Sequence, residues 1–124
     1  MDTKITSQKL LSAALHDINE LKALNVTSLD VKELTTLIDY MIIATGTSSR
    51  HVHSIADHLI QHMKSRHIPV YGVEGDQNDE WILVDLGDLI VHIMQEKTRT
   101  FYNLEKLWSI PMSKPISQPD PVPL

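Results

Sequence analysis

Hydrophobic positions in the first half of the chain recur at spacings of three and four, which predicts two amphipathic helices. The first runs from about Ser7 to Leu24, with Thr6 or Ser7 able to cap its free amides, and the second from about Ser48 to Arg66. A last helix, about Lys97 to Trp108, closes the domain. The first two helices each present one face: Leu11, Ala14, Leu15, Ile18, Leu21 and Lys22, then Val52, Ile55, Ala56, Leu59, Ile60 and Met63.

Shorter runs between these segments predict strands. Val26 to Val31 alternates, whereas Tyr40 to Thr45 is apolar throughout, as expected of a strand buried on both faces. The residues between them, Glu33 to Asp39, predict a turn or a single helical turn, and Val70 to Val73 predicts a third strand. A strand, a capping turn, a helix and a strand in succession predict a right-handed crossover between parallel strands.

The segment WILVDLGDLIVHIM, residues 81–94, predicts a β-hairpin, because Gly87-Asp88 is a two-residue turn signature between apolar runs. That turn sets the register, from Leu86 opposite Leu89 to Trp81 opposite Met94. One hairpin face must be core: Ile82, Val84, Leu86, Leu89, Val91 and Ile93. The other face lies under a helix or under a partner: Trp81, Leu83, Asp85, Ile90, His92 and Met94.

Together these elements predict an α/β fold, with a mixed sheet of about five strands and helices packed on it. We assign residues 1–110 to one domain. Five of the six prolines fall in residues 111–124, which have no apolar period and predict a flexible, proline-rich tail.

Composition narrows the possible functions. Eleven basic and sixteen acidic residues give a net charge of −5, which disfavours a protein that grips nucleic acid and suits a basic partner. The absence of cysteine excludes disulfides, thiolate metal sites and cysteine nucleophiles. We find no membrane-spanning run and no signal or transit peptide, so we expect a soluble cytoplasmic protein.

Seven histidines are many for 124 residues, and five of them fall on or beside the second helix. His58 and His62 stand one turn apart, a spacing that binds metal in some helices. The sequence offers no obvious carboxylate as third ligand, so we expect a solvated helix face, no metal and no cofactor.

A glycine and small polar residues open the second helix. Gly46 is followed by Thr47, Ser48, Ser49, Arg50 and His51. This motif can bind an anion at the helix start or form part of a surface, or Thr47 or Ser48 can simply cap the helix. It lacks the glycine spacing and lysine of a phosphate loop.

A similar turn begins the nucleotidyltransferase signature, whose chemistry needs two carboxylates alternating on one strand to hold two metals. The following strand offers only Glu74, while Asp85 and Asp88 straddle the hairpin turn. The residues therefore predict no complete catalytic site.

From Asp39 to Trp108 the chain resembles the ribosomal silencing factor family, also called Iojap. Four blocks in order carry the resemblance: DYMIIATGTSSRHVHSIADHL, VYGVEG, EWILVDLGDLIVHIM and TFYNLEKLW. The resemblance implies a nucleotidyltransferase-like fold without catalytic carboxylates. It also implies binding to the large ribosomal subunit through its ribosomal protein fourteen, which blocks joining of the small subunit and lowers translation under nutrient limitation.

We therefore expect a binding protein rather than an enzyme; the alternative is a nucleotidyltransferase-like enzyme acting on nucleotide or RNA. The partner surface is expected on the second hairpin face and its rim, comprising Trp81, Leu83, Asp85, Asp88 and His92. The rival interpretation is that a helix of this chain covers Trp81. We expect neither sequence-specific nucleic-acid contact nor a membrane, and a homodimer off the ribosome stays open.

Overall fold

The predicted α/β fold with a mixed five-stranded sheet is confirmed by a computed structural model, which describes residues 5–75 and 80–108. The strand order is β1-β2-β5-β4-β3. The elements are α1 Ser7–Glu20, β1 Leu24–Asp30, β2 Tyr40–Gly46, α2 Ser49–Ser65, β3 Gly72–Gly75, β4 Trp81–Asp85, β5 Leu89–Gln95, α3 Glu96–Tyr102 and α4 Leu104–Trp108. The predicted tail, residues 111–124, lies outside the described residues. Among the described helices, none has the length and apolar character needed to cross a bilayer.

The hairpin forms in the predicted register. Trp81 pairs with Met94 and Asp85 with Ile90 across strands β4 and β5, and the Leu86 amide donates to the Leu89 carbonyl at 2.9 Å. Gly87 has φ +92°. A positive φ at the first turn position is easy for glycine and costly for other residues, so Gly87 fixes this turn and with it the register.

Strand β2 lies inside the sheet and is buried along its whole length, as its uninterrupted apolar run predicts. It pairs antiparallel with β1 and parallel with β5. The crossover through α2 joins parallel strands, as expected, but β2 and β3 are not neighbours, because β5 and β4 lie between them. The chain thus leaves the sheet centre through α2 and returns at the far edge.

Each face of the sheet carries its own core. Helices α1 and α2 cover one face, where the uniform side of the hairpin is buried as predicted. On the opposite face a second apolar cluster forms under the 31–39 segment and α4. Its buried members are Val31, Ile38, Met41, Ile43, Ile90, Met94 and Leu104.

Four element boundaries differ from the sequence prediction. Helix α1 ends at Glu20 rather than Leu24, and Lys22 then adopts a left-handed conformation, φ 59°, from which β1 begins at Leu24. Strand β3 starts at Gly72 instead of Val70. The predicted last helix is two helices, because Asn103 turns left-handed at φ 49° and ends α3. The spacing of apolar residues does not show where a single residue in a left-handed conformation reverses the direction of the chain.

The contact between α1 and α2 includes a buried ion pair. Asp17 has no exposed surface, and its two carboxylate oxygens each accept a hydrogen bond from the Arg66 guanidinium at 2.7 Å. Burial alone would raise the pKa of Asp17, but the hydrogen bonds and charge of Arg66 outweigh it and lower that pKa. The two helices are therefore joined by charge as well as by apolar packing.

Gly46 lets helix α2 start close against strand β2. A Cβ atom at this position would lie 2.7 Å from Val52 Cγ2 and 2.9 Å from the Val52 backbone nitrogen. Because one of these atoms is backbone, a local rotamer change cannot relieve the clash. The glycine at the head of the loop motif is thus required for packing.

We expect Gly46→Ala to lower the free energy of unfolding by about 1–3 kcal/mol, the usual cost of overpacking. Gly72→Ala is the matched control, since a Cβ there would meet nothing within 4 Å; it should change stability by less than about 0.5 kcal/mol. Urea denaturation of both variants measures the difference. Equal stabilities would contradict the close approach at Gly46.

Candidate functional site

The face opposite α1 and α2 is only partly covered by the chain itself. The 31–39 segment, α3 and α4 lie over β2 and β5, whose side chains are buried, and over Leu29 of β1, which is half-buried. On β4 the same face holds Trp81, Leu83 and Asp85, all half-buried, and on β3 it holds the exposed Glu74. This uncovered strip brings together three of the five predicted partner-binding residues, Trp81, Leu83 and Asp85.

Trp81 links the interior to the surface. Its indole N–H donates to His92 Nδ1 at 2.9 Å, and its ring lies 4.8 Å from the Tyr102 ring at the end of α3. Leu83 follows on the same face of β4, directly opposite His92 in the register. Trp81 is therefore partly covered by α3 and partly exposed. The sequence left open whether Trp81 is an interface residue or is covered by a helix of this chain, and the structure lies between these two interpretations.

His92 is fully buried and so presents no surface to a partner. Burial lowers the pKa of His92 to about 4, so the imidazole is neutral near neutrality. Because Nδ1 accepts from Trp81, the ring proton sits on Nε2, which is buried and has no hydrogen-bond partner among the described residues. Of the predicted set, His92 acts only through the orientation of Trp81.

The two aspartates flank the hairpin turn. Asp85 Oδ1 accepts a hydrogen bond from the Gly87 amide at 2.9 Å, so this carboxylate supports the turn while remaining half-exposed. The Asp88 backbone carbonyl accepts from the Asp39 and Tyr40 amides, at 2.8 and 3.1 Å. Asp88 also lines a cavity with Leu10 of α1, Arg66 and Tyr71, on the side of the sheet that α1 and α2 cover, so the structure does not place Asp88 on the strip.

Two aromatic residues that the sequence analysis did not single out adjoin this strip. Phe101 is 78% exposed and Tyr102 54% exposed at the end of α3, with their rings 5.0 Å apart, edge to face. The buried residue of α3 is Arg99, and its two aromatic residues remain at the surface. The signal in the sequence was this pair of adjacent aromatic residues in the block TFYNLEKLW. We call Trp81, Leu83, Phe101 and Tyr102 the aromatic edge.

Arg99 holds the aromatic edge in place. Its buried guanidinium donates to Thr45 on β2 at 2.8 Å, to Thr27 on β1 at 3.1 Å and to Glu105 on α4 at 2.7 Å. The hydrogen bond from Arg99 lowers the pKa of Glu105 and keeps it ionised. Helices α3 and α4 are therefore fixed to the first two strands by one side chain.

The loop motif at the start of α2 is a capping structure. The Ser48 hydroxyl accepts from the His51 amide at 3.1 Å, and His51 Nδ1 accepts from the Thr47 amide at 2.9 Å. His51 Nε2 lies 2.7 Å from the Leu21 carbonyl at the end of α1. Ser49 and Arg50 are exposed. One amide that an anion would use is thus already bonded to His51.

Comparison with known proteins gives consistent matches. A family model described as "Ribosomal silencing factor during starvation" matches residues 4–122. A Haemophilus influenzae protein named ribosomal silencing factor is 43% identical over 100 residues, covering 81% of this chain and 98% of that protein. A mouse protein named "Mitochondrial assembly of ribosomal large subunit protein 1" is 41% identical over 75 residues, 58% of this chain and 33% of its own. A solved Chromobacterium violaceum structure superposes with a TM-score of 0.82 at 32% identity, covering 90% of this chain and 98% of that one.

The burial of His92 predicts a loss of stability in acid. The unfolded chain takes up a proton on this imidazole near pH 6.5, whereas the folded protein resists protonation until about pH 4. Acidification between those values therefore favours unfolding. From pH ~7.5 to pH ~4.5 the wild type should lose about 2 kcal/mol more than His92→Gln, measured by urea denaturation. Parallel pH profiles for the two proteins would contradict the burial of a neutral His92.

Proposed function

Because the chain belongs to the ribosomal silencing factor family, we propose that it acts by occupying a surface of the large ribosomal subunit. The contact is ribosomal protein fourteen of that subunit, on the side that faces the small subunit. A bound copy blocks joining of the small subunit sterically, in the cytoplasm, and lowers translation under nutrient limitation. No reaction is needed for this effect.

The observation that carries the proposal is the aromatic edge. Its four side chains are adjacent, partly or largely exposed, and supported by a buried layer beneath. Aromatic side chains on a rigid base are the usual energetic centre of a protein interface. Glu74 and Asp85, on the same face of β3 and β4, supply polar groups at the rim of this centre.

Charge supports a basic protein surface as the partner. The chain carries a net charge of −5, and two carboxylates, Glu74 and Asp85, lie on the face of the aromatic edge. Acidic rims speed and orient the encounter with a basic surface, while they repel the phosphates of nucleic acid. The name of the mouse relative, which refers to the large ribosomal subunit of mitochondria, agrees with a large-subunit partner. When the protein is not bound to the ribosome, a second copy of the chain competes for binding to the aromatic edge.

The edge predicts a specific pattern of binding variants. Phe101→Ser and Tyr102→Ser should each weaken binding to isolated large subunits about tenfold or more, as loss of an interface aromatic does. Both side chains are largely exposed, so folding should be retained. Leu24→Ser is the matched control, since Leu24 is 46% exposed on β1, at the opposite sheet edge. Co-sedimentation with large subunits measures binding, and subunit joining by light scattering measures occlusion.

If Phe101→Ser and Tyr102→Ser both bind large subunits as the wild type does, the interface lies elsewhere on the protein. The same conclusion follows if only Leu24→Ser loses binding. Normal binding with unimpaired subunit joining would contradict occlusion as the mechanism.

The alternative, a nucleotidyltransferase-like enzyme, depends on Glu74. This residue is exposed on β3 opposite Leu83. Among the described residues, the groups of histidines and carboxylates within metal-ligand reach of one another lie on α1 and α2 and do not include Glu74. We expect no product above the blank when the protein is incubated with magnesium, nucleoside triphosphates and RNA. Metal-dependent incorporation that disappears in Glu74→Ala would establish the enzyme instead.

A further inference from the structure

Two ionisable pairs face each other where α1 and α2 pack. His16 and Glu20 stand one turn apart on α1, and His58 and His62 stand one turn apart on α2. Side chains with this spacing project from the same side of a helix. The sequence shows only the histidine pair, because the carboxylate that meets it lies on another helix. The packing of α1 against α2 therefore brings the Glu20 carboxylate next to the histidine pair of α2.

The three groups are within reach of a single ion. His58 Nε2 lies 2.9 Å from Glu20 Oε1, and the His58 and His62 ring centroids are 4.0 Å apart. The ligand atoms of Glu20, His58 and His62 all lie within 4.8 Å of one another. Glu20 is exposed and both histidines are half-buried, so an ion can enter from solvent.

The surroundings suit a cation with two positive charges. The Arg66 guanidinium is bonded to both oxygens of Asp17, so its charge is compensated next to the cluster. His62 Nδ1 lies 3.5 Å from Asp17 Oδ1, which leaves Nε2 of that ring to coordinate an ion. A carboxylate behind a metal-bound histidine orients the ring and increases its basicity.

We propose that Glu20, His58 and His62 form a binding site for a divalent transition-metal ion, with zinc as the reference ion. Two imidazole nitrogens and one carboxylate oxygen are a donor set that zinc accepts, and water fills a remaining position. Magnesium and calcium prefer oxygen donors and are poor occupants. His16, whose Nδ1 lies 3.8 Å from Glu20 Oε1, groups with Asp17 and Glu20 on α1 and is not one of the three proposed ligands. Because its ligands come from two helices, a bound ion clamps the end of α1 to the middle of α2.

The test uses the untagged full chain, freed of metal with a chelator and titrated with zinc sulfate in a calorimeter. We expect one saturable site with a micromolar or tighter dissociation constant. Zinc at 100 times that constant should raise Tm by about 10 °C, because it binds the folded state. His58→Ala and His62→Ala should each weaken binding at least tenfold.

His53→Ala is the matched control. His53 lies on the same helix, 3.1 Å from the Asp57 carboxylate, but outside the cluster; its loss should change zinc affinity by less than about twofold. Glu20→Gln removes the carboxylate charge and keeps an oxygen acceptor for His58, so it tests the third ligand even where a histidine variant unfolds. Zinc binding that survives in the His58→Ala/His62→Ala double variant, or no saturable binding below about 100 μM, would overturn the site and leave a hydrogen-bonded cluster only.

Discussion

The central pair of strands imposes the main constraint on this fold. Strands β2 and β5 are buried along nearly their whole length on both sides, so the sheet must be covered on both faces. Helices α1 and α2 cover one face with continuous apolar stripes. The other face is covered by what remains of the chain, a short segment and two small helices. These elements lie over β1, β2 and β5 but do not extend over β4 and β3. The strip on β4 and β3 is therefore exposed, and the aromatic edge lies along it.

Local patterns predicted the parts of the fold that depend on neighbouring residues. The hairpin is the clearest case, since Gly87 sets the turn and period-two alternation then assigns every side chain to a face. The break at Asn103 and the early end of α1 were not predictable in this way. Both depend on one residue with a left-handed backbone, and tertiary contacts decide whether that residue reverses the chain.

The candidate site shows the same division. Alternation correctly placed Trp81 and His92 on one face, but Trp81 is half-buried and His92 fully buried, because β5 lies in the middle of the sheet and β4 nearer its edge, which no local pattern encodes. Phe101 and Tyr102 joined the site through the ring contacts of Tyr102 with Trp81 and with Phe101. The Glu20 contact with His58 and His62 was hidden for a related reason, since it needs the relative position of two helices separated by two strands in the sequence.

The strand order also has a consequence for how the chain acquires its structure during synthesis. The centre of the sheet joins β2 to β5, and α2, β3 and β4 must all be made between them. A nascent chain that ends before residue 89 therefore has a strand with no partner on one side, and its apolar surface stays open. Pairing between segments distant in sequence is slow, whereas the β4–β5 hairpin is local and forms quickly. We expect folding to wait for the hairpin to emerge and then to proceed by its docking onto β2, so that the sheet is completed only after β5 has been made.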